Sequence, residues 1–455
     1  MVIVGGGPGG YEAALVAVQN GAEVTVIERD GMGGSAVLTD CVPSKALIAV
    51  SDVITEAGES GALGVTVDGM VAQPDRFSVA FAQVNARIVE LAQQQSSDTL
   101  AKLVDAGVEV IAGTGRLVGP HTVSVAGREL TADAIVLATG ARPRVLLGSR
   151  PDGERVLTWE QLYGLPELPT RMIVVGSGVT GAEFASAYRA MGSEVVLVSS
   201  RDRVLPGEDA DAAAVLERAF ARRGVEVRPR SRAAAVRRVD DHVEVELTDG
   251  SVIEGSHCLL AVGSVPNTDD LGLAEAGVTT DDAGFITVDR VSRTSAPGIY
   301  AAGDCTGVLM LASVAAMQGR IAMWHTLGQA VHPLDLRTVS SNVFTEPEIA
   351  TVGWSQAQVD AGEINADGVM LPLRTNARAK MQGFDDGFVK VFCRRGTRIV
   401  VGGVVVAPHA SELIHVLALA VDQRLTVDQL AGAFTVYPSL SGSIAEAARQ
   451  LHVTD

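Results

Sequence analysis

Two glycine triplets are the residues most clearly shaped for chemistry: Gly5-x-Gly7-x-x-Gly10 and, 171 positions later, Gly176-x-Gly178-x-x-Gly181. The first glycine of such a triplet permits a tight turn. The second lets backbone approach a pyrophosphate, and the third lets a helix pack closely on a strand. A helix opening there aims free N–H groups and a partial positive charge at the phosphates. One triplet alone is a weak signal, but these two share a setting. The apolar runs Val2-Ile3-Val4 and Ile173-Val174-Val175 precede them. Helical stretches follow, Tyr11 to Gln19 and Ala182 to Met191, closed by Gly21 and Gly192. Each then enters a β-rich run, Glu23 to Ile27 or Glu194 to Val198. A strand–turn–helix–strand unit written twice predicts two Rossmann-like units, each for one dinucleotide.

The residue ending the second strand of each unit discriminates between nucleotides. In the first it is Glu28, followed by Arg29, and a carboxylate there accepts hydrogen bonds from ribose hydroxyls. In the second it is Ser199, followed by Ser200, Arg201, Asp202 and Arg203. No carboxylate stands there to repel a 2′-phosphate, so the pattern leans to NADPH and leaves NADH open. The plainer reading of Arg201 and Arg203 is solvated surface charge.

These loops need a large scaffold. A chain of 455 residues is too long for one core and predicts two to four domains. A net charge of −18 argues against nucleic acid or an anionic membrane as the main partner. No apolar run approaches the ~18 residues of a membrane span, and the N-terminus lacks a secretory pattern. Cys41, Cys258, Cys305 and Cys393 are scattered, without a C-x-x-C pair or a histidine cluster, so no metal site is expected. Such usage fits a reducing cytosol and a cytoplasmic protein. Cys258, Cys305 and Cys393 read as packing residues, and His409, His415 and His452 as ordinary histidines.

The run Gly33-Gly34-Ser35-Ala36-Val37-Leu38-Thr39-Asp40-Cys41-Val42-Pro43-Ser44-Lys45 resembles the active-site signature of the flavoprotein disulfide reductases, such as lipoamide dehydrogenase and glutathione reductase. Ala138-Thr139-Gly140 and Ile299-Tyr300-Ala301-Ala302-Gly303-Asp304 resemble that family's later FAD segments. Phe344-Thr345-Glu346-Pro347-Glu348 through Gly353, then Asn376, Arg378, Ala379 and Gly387 to Lys390, resemble its dimerisation domain. The resemblance implies an α/β fold with FAD on the first Rossmann-like unit, NAD(P)H on the second, and a C-terminal α+β interface domain forming a homodimer. It divides the chain into an FAD domain of 1–150 and 270–335, a nicotinamide domain of 151–269 and an interface domain of 336–455. One FAD per subunit would meet Gly5, Gly7, Pro8, Gly9, Gly10, Glu28, Arg29, Gly33, Gly34, Ser35, Cys41, Lys45, Gly115, Thr139, Gly140, Gly303, Asp304, Leu311 and Ala312, with Asp304 on the ribityl chain. The nicotinamide nucleotide would meet Gly176, Gly178, Val179, Thr180, Gly181, Glu183, Ser199, Ser200, Arg201 and Gly263. Lys45 and Glu183 are expected to pair beside the flavin as the catalytic residues, the lysine stabilising negative charge.

Two departures from the family pattern carry the functional expectation. The motif's first cysteine is replaced by Ala36, and a lone Cys41 cannot form the redox disulfide. Near the C-terminus Tyr437 stands at the family's catalytic histidine and Gly442 at its glutamate. A phenol with an ordinary pKa of ~10 substitutes poorly for imidazole. Disulfide chemistry is thus read as abandoned, and Cys41 as packing rather than catalysis, its thiol disfavoured as thiolate by neighbouring Asp40. Val179 replaces a tyrosine that covers the flavin face in glutathione reductase, so the nicotinamide side is expected to be more open. The chain resembles an actinobacterial, disulfide-lacking branch associated with NAD(P)H-dependent quinone reduction. The expected partner is therefore a small-molecule quinone, reduced in a ping-pong cycle. Other acceptors, transhydrogenation and a non-enzymatic FAD-binding role are alternatives; lipoamide dehydrogenase activity is not expected.

Overall fold

The computed structural model describes residues 1–452. Its first unit is a parallel five-stranded sheet ordered Ile299–Ala301, Ile135–Leu137, Val2–Val4, Thr25–Glu28 and Glu109–Ala112. Alternation along each strand sends neighbouring side chains to opposite faces. Ile3, Val26 and Val136 face the helix Pro8–Gln19 through Ala13, Ala14 and Val16. Val2, Val4, Ile27 and Leu137 face the other way, onto Leu117, Val123 and Val125 of a small antiparallel sheet. Both faces of a parallel sheet are thereby covered, as its apolar composition requires.

The second unit repeats this plan. Its parallel sheet runs Val156–Leu157, His257–Leu260, Arg171–Val175, Glu194–Val198 and Val225–Arg228. Helices Val179–Met191 and Ala210–Arg223 contribute Phe184, Tyr188, Leu216 and Phe220 to one face. A second antiparallel three-stranded sheet covers the other with Val236, Val243 and Val245. The repeat in sequence is thus a repeat in architecture.

Both glycine-loop helices begin earlier than periodicity alone predicted, at Pro8 and Val179 instead of Tyr11 and Ala182. Gly7 and Gly178 act as the N-caps, so the third glycine of each triplet lies inside the first helical turn. A turn that must stay slim against the strand hides its helical character behind glycine.

The last unit is an antiparallel sheet ordered Ser340–Val343, Glu348–Gly353, Val400–Ala407, Phe388–Arg394 and Ala366–Pro372. One face packs on the helices Ala410–Asp422 and Gly442–Gln450 through Ile414, Leu417, Ile444 and Ala447. The other, with Ile349, Phe388, Phe392 and Val404, joins the core of the second unit. The fold is α/β, with two Rossmann-like units and a C-terminal α+β unit.

Candidate active site

The two glycine loops make the same backbone demands. Gly5 and Gly176 adopt φ of +104° and +115°, a region that favours glycine. A Cβ on Gly10 would lie 1.9 Å from the Gly5 carbonyl oxygen, and one on Gly181 also 1.9 Å from that of Gly176. A Cβ on Gly7 or Gly178 would meet nothing within 4 Å. The third glycine is therefore demanded by packing. The second faces open space, which leaves the backbone approachable.

In the first unit the loop borders a cavity of about 720 Å³. Of the residues expected to hold FAD, Gly5, Gly7, Pro8, Gly9, Glu28, Arg29, Gly34, Ser35, Cys41, Gly115, Thr139, Gly140, Gly303, Asp304 and Ala312 all line it. Gly10, Gly33, Lys45 and Leu311 do not; Gly10 is enclosed by packing, Gly33 caps the short helix Gly34–Leu38, and Leu311 caps the helix Ala312–Thr326. The Glu28 carboxylate is anchored, accepting from Gly6 N at 2.6 Å, Asp30 N at 2.7 Å and Gly31 N at 3.3 Å. A carboxylate accepts about four hydrogen bonds, so capacity for a ribose hydroxyl remains. Arg29 points outward and pairs with Asp30. The cavity suits a dinucleotide on a further ground. The hydroxyl of Thr39 lies buried at its wall with no hydrogen-bond partner among the described residues. Such a group is costly unless a ligand or water satisfies it.

Lys45 and Glu183, 138 residues apart, meet: Nζ donates to Oε2 at 2.9 Å. Glu183 is almost wholly buried, and its other oxygen accepts from Phe344 N at 2.9 Å. The Lys45 ammonium also lies 4.8 Å from the centroid of the Phe344 ring. One carboxylate therefore ties together the helix Cys41–Glu59, the second unit's glycine-loop helix and the start of the C-terminal unit. Burial works to lower the Lys45 pKa, but attraction to Glu183 and their hydrogen bond prevail, and the net displacement is upward. The ammonium is held charged.

Cys41 is free, and burial, reinforced by Asp40 and opposed by Lys45, pushes its thiol up to about 11. The thiol remains protonated at neutral pH. Burial contributes more than the like charge of Asp40 that the sequence brings to mind. Asp304 is pushed up to about 6 by burial, with Asp40 adding to the effect. Cys258, Cys305 and Cys393 are fully buried. Sequence reasoning missed three contributors. Phe344 carries no polar side-chain signal, because its contact is made by backbone. Gln318, whose Oε1 accepts from Gly303 N at 2.8 Å, is a buried amide on the helix Ala312–Thr326 and matches no motif. Asp40 stands out in the sequence only as a neighbour of Cys41.

The second unit's strand end departs from expectation. Ser199 was expected at the nucleotide, yet it is wholly buried. Its hydroxyl lies 2.7 Å from that of Ser177 and accepts from Arg201 N at 3.1 Å. The small hydroxyl is drawn inward because the turn beneath needs a partner, so it braces the loop instead of facing solvent. Ser200 and Arg201 are exposed, and Arg201 O accepts from Arg230 N at 2.7 Å, bringing a second arginine to the same edge. Val179 is 41% exposed at the helix opening, beside Thr180. Gly263 turns with φ +90°, with open space where a Cβ would be.

Residues 1–319 match the model of the pyridine nucleotide-disulphide oxidoreductase family, and residues 339–448 match that family's dimerisation domain. The chain is 55% identical to a protein of Mycobacterium tuberculosis named NAD(P)H dehydrogenase (quinone), covering 100% of this chain and 94% of that one. It is 32% identical to dihydrolipoyl dehydrogenase 2 of Haloarcula marismortui, over 98% and 95% of the two chains. The crystal structure of LpdA from Mycobacterium tuberculosis superposes with a TM-score of 0.94 at 54% identity, covering 99% of each chain. A flavoprotein disulfide reductase of Escherichia coli, at 24% identity and a TM-score of 0.88, shares the fold. Two repeated dinucleotide cradles, an ion pair between them and these similarities agree: the chain belongs to the pyridine nucleotide-disulphide oxidoreductase family.

Proposed function

We propose that the chain is a FAD-dependent NAD(P)H:quinone oxidoreductase that works without a redox disulfide. One observation carries this reading: the buried Lys45–Glu183 pair is kept while the thiol beside it stands alone. Bound FAD would accept a hydride from NAD(P)H and return the electrons singly or in pairs. Gly5, Gly7 and the helix opening at Pro8 would hold the pyrophosphate, Glu28 the adenosine ribose, and Asp304 the ribityl chain. Lys45, held by Glu183, would supply a fixed positive charge to the bound flavin without solvent reorganisation. Cys41 packs as a thiol, because a partner sulfur is replaced by Ala36 at the cavity wall. An acceptor must then approach the flavin directly, which suits a flat quinone. The name of the 55% identical relative supports that choice.

The nicotinamide nucleotide would bind at Gly178, Thr180 and Gly263. Exposed Arg201 favours NADPH, with NADH also used. The boundaries near 150, 270 and 335 are the working division of the domains. A homodimer is supported by the matched dimerisation domain and by Phe434, Val436 and Tyr437, which this chain alone leaves widely exposed. No described helix is long and apolar enough to cross a membrane; we place the protein in the cytoplasm on its cysteine usage. An acceptor profile tests the reading. Purified protein with NADPH should turn over benzoquinone and leave lipoamide untouched. Lipoamide turnover at comparable rates, or a preference for a second pyridine nucleotide, would refute it.

A further inference from the structure

Helix Cys41–Glu59 opens on an aspartate, a residue type that commonly caps helices by accepting their free N–H groups. Asp40 does not cap: its backbone sits at φ −127°, ψ −97°, and its carboxylate takes no cap hydrogen bond. It lines the 720 Å³ cavity with Ala36, Cys41 and Asp304. Lys45 gives its hydrogen bond to Glu183 instead. The groups acting on the Asp40 side chain come from four elements. They are Cys41 and Lys45 on its own helix, Glu183 on the second glycine-loop helix, Glu160 and Tyr163 on the turn Trp159–Gly164, and Asp304. Among them one cation faces several carboxyls. Burial raises the Asp40 pKa, Lys45 lowers it and Glu183 raises it again, with a net upward displacement. Glu160 is raised as well, by burial and then by Asp40. The Asp40 carboxyl therefore takes up a proton more readily than one in water.

The reaction proposed above, on which this inference rests, needs such a proton. NAD(P)H yields a hydride, which carries two electrons and one hydrogen. Turning a quinone into a hydroquinone forms two O–H bonds, so one further proton must be supplied. Cys41 keeps its proton to about 11 and is a poor donor at neutral pH. Lys45 is committed to Glu183. We propose that Asp40 is the acid that delivers the second proton to the quinone oxygen as the two electrons arrive, and that it is then reprotonated from water.

The test uses the holoenzyme, reduced anaerobically with NADPH and reoxidised either by benzoquinone or by ferricyanide, which takes up electrons but no proton. Replacing the acid by Asp40→Asn should slow reoxidation by benzoquinone about 100-fold more than it slows NADPH reduction or ferricyanide reoxidation. Asp40→Glu should restore part of the quinone rate. In the wild type that rate should fall as pH rises and the carboxyl loses its proton; in Asp40→Asn the fall should vanish. Infrared difference spectra of wild type minus Asp40→Asn should isolate one pH-dependent carboxyl band from those of Asp304 and Glu160, a readout independent of turnover. Unchanged quinone reoxidation in Asp40→Asn overturns the inference alone, as does equal slowing with both oxidants. Wild-type protein that no quinone reoxidises overturns the functional reading first, and the inference with it.

Discussion

The two glycine loops share a backbone and part company at the end of the following strand. Gly5 and Gly176 turn alike, and Gly10 and Gly181 close on the preceding carbonyl at the same 1.9 Å. Yet the first strand ends in Glu28, anchored by three backbone N–H groups and lining the cavity, while the second ends in Ser199, wholly buried against Ser177. The cradle is a backbone property and is copied between the units. Nucleotide identity is a side-chain property, and there the copies diverge. The shared part suits a pyrophosphate; the divergent part decides what is attached to it.

The largest expected effect breaks the shared part. Gly10→Ala places a Cβ against the Gly5 carbonyl and should yield protein that fails to retain flavin, at a cost of more than about 3 kcal/mol; denaturant titration and the flavin absorbance of the purified protein check this. Gly181→Ala carries the same clash in the second unit. If it retains flavin but loses NADPH saturation, the two cradles fail separately.

Next comes the link between the units. Lys45→Met should lower the rate of flavin reduction by NADPH about 100-fold, the scale of losing one preorganised charge at a reacting centre. Rapid mixing reads that rate. Glu183→Gln should cost less, because the amide oxygen would still accept from Phe344 N and only the charge that holds Lys45 would be lost.

The pH behaviour of Cys41 gives a comparable effect. Burial disfavours the thiolate, so the proton stays on to about 11 instead of the ordinary 9.0. Below both values alkylation follows the thiolate fraction, so Cys41 at pH 8 should react with iodoacetamide about 100-fold more slowly than a free thiol. The difference should narrow as pH rises toward 11. Reaction at the free-thiol rate would contradict the packing role.

The smallest effect sharpens the divergence. Arg201→Ala should raise the KM for NADPH about 5- to 10-fold through one lost charge-assisted contact, and leave that for NADH unchanged. Equal effects on both nucleotides would remove Arg201 from the 2′-phosphate.

The same contrast explains what the sequence made legible. The glycine triplets, the strand–helix–strand units and the Lys45–Glu183 pair were readable because local spacing or a family motif fixes each one. The inward turn of Ser199 was not, since it depends on a serine 22 residues away across the loop. Phe344 was hidden because it bonds Glu183 through its backbone, 161 residues distant in sequence. The helix starts at Pro8 and Val179 were masked by glycine's poor helical propensity. Asp40 sits where a helix cap is common, and only the fold reveals that its carboxylate caps nothing.

The most direct test of disulfide-free quinone reduction is an anaerobic stopped-flow experiment. The holoenzyme is mixed with NADPH and then chased with benzoquinone or lipoamide. The account predicts full flavin bleaching, no long-wavelength thiolate–flavin band, and reoxidation by benzoquinone alone. A thiolate–flavin band followed by reoxidation with lipoamide would contradict it.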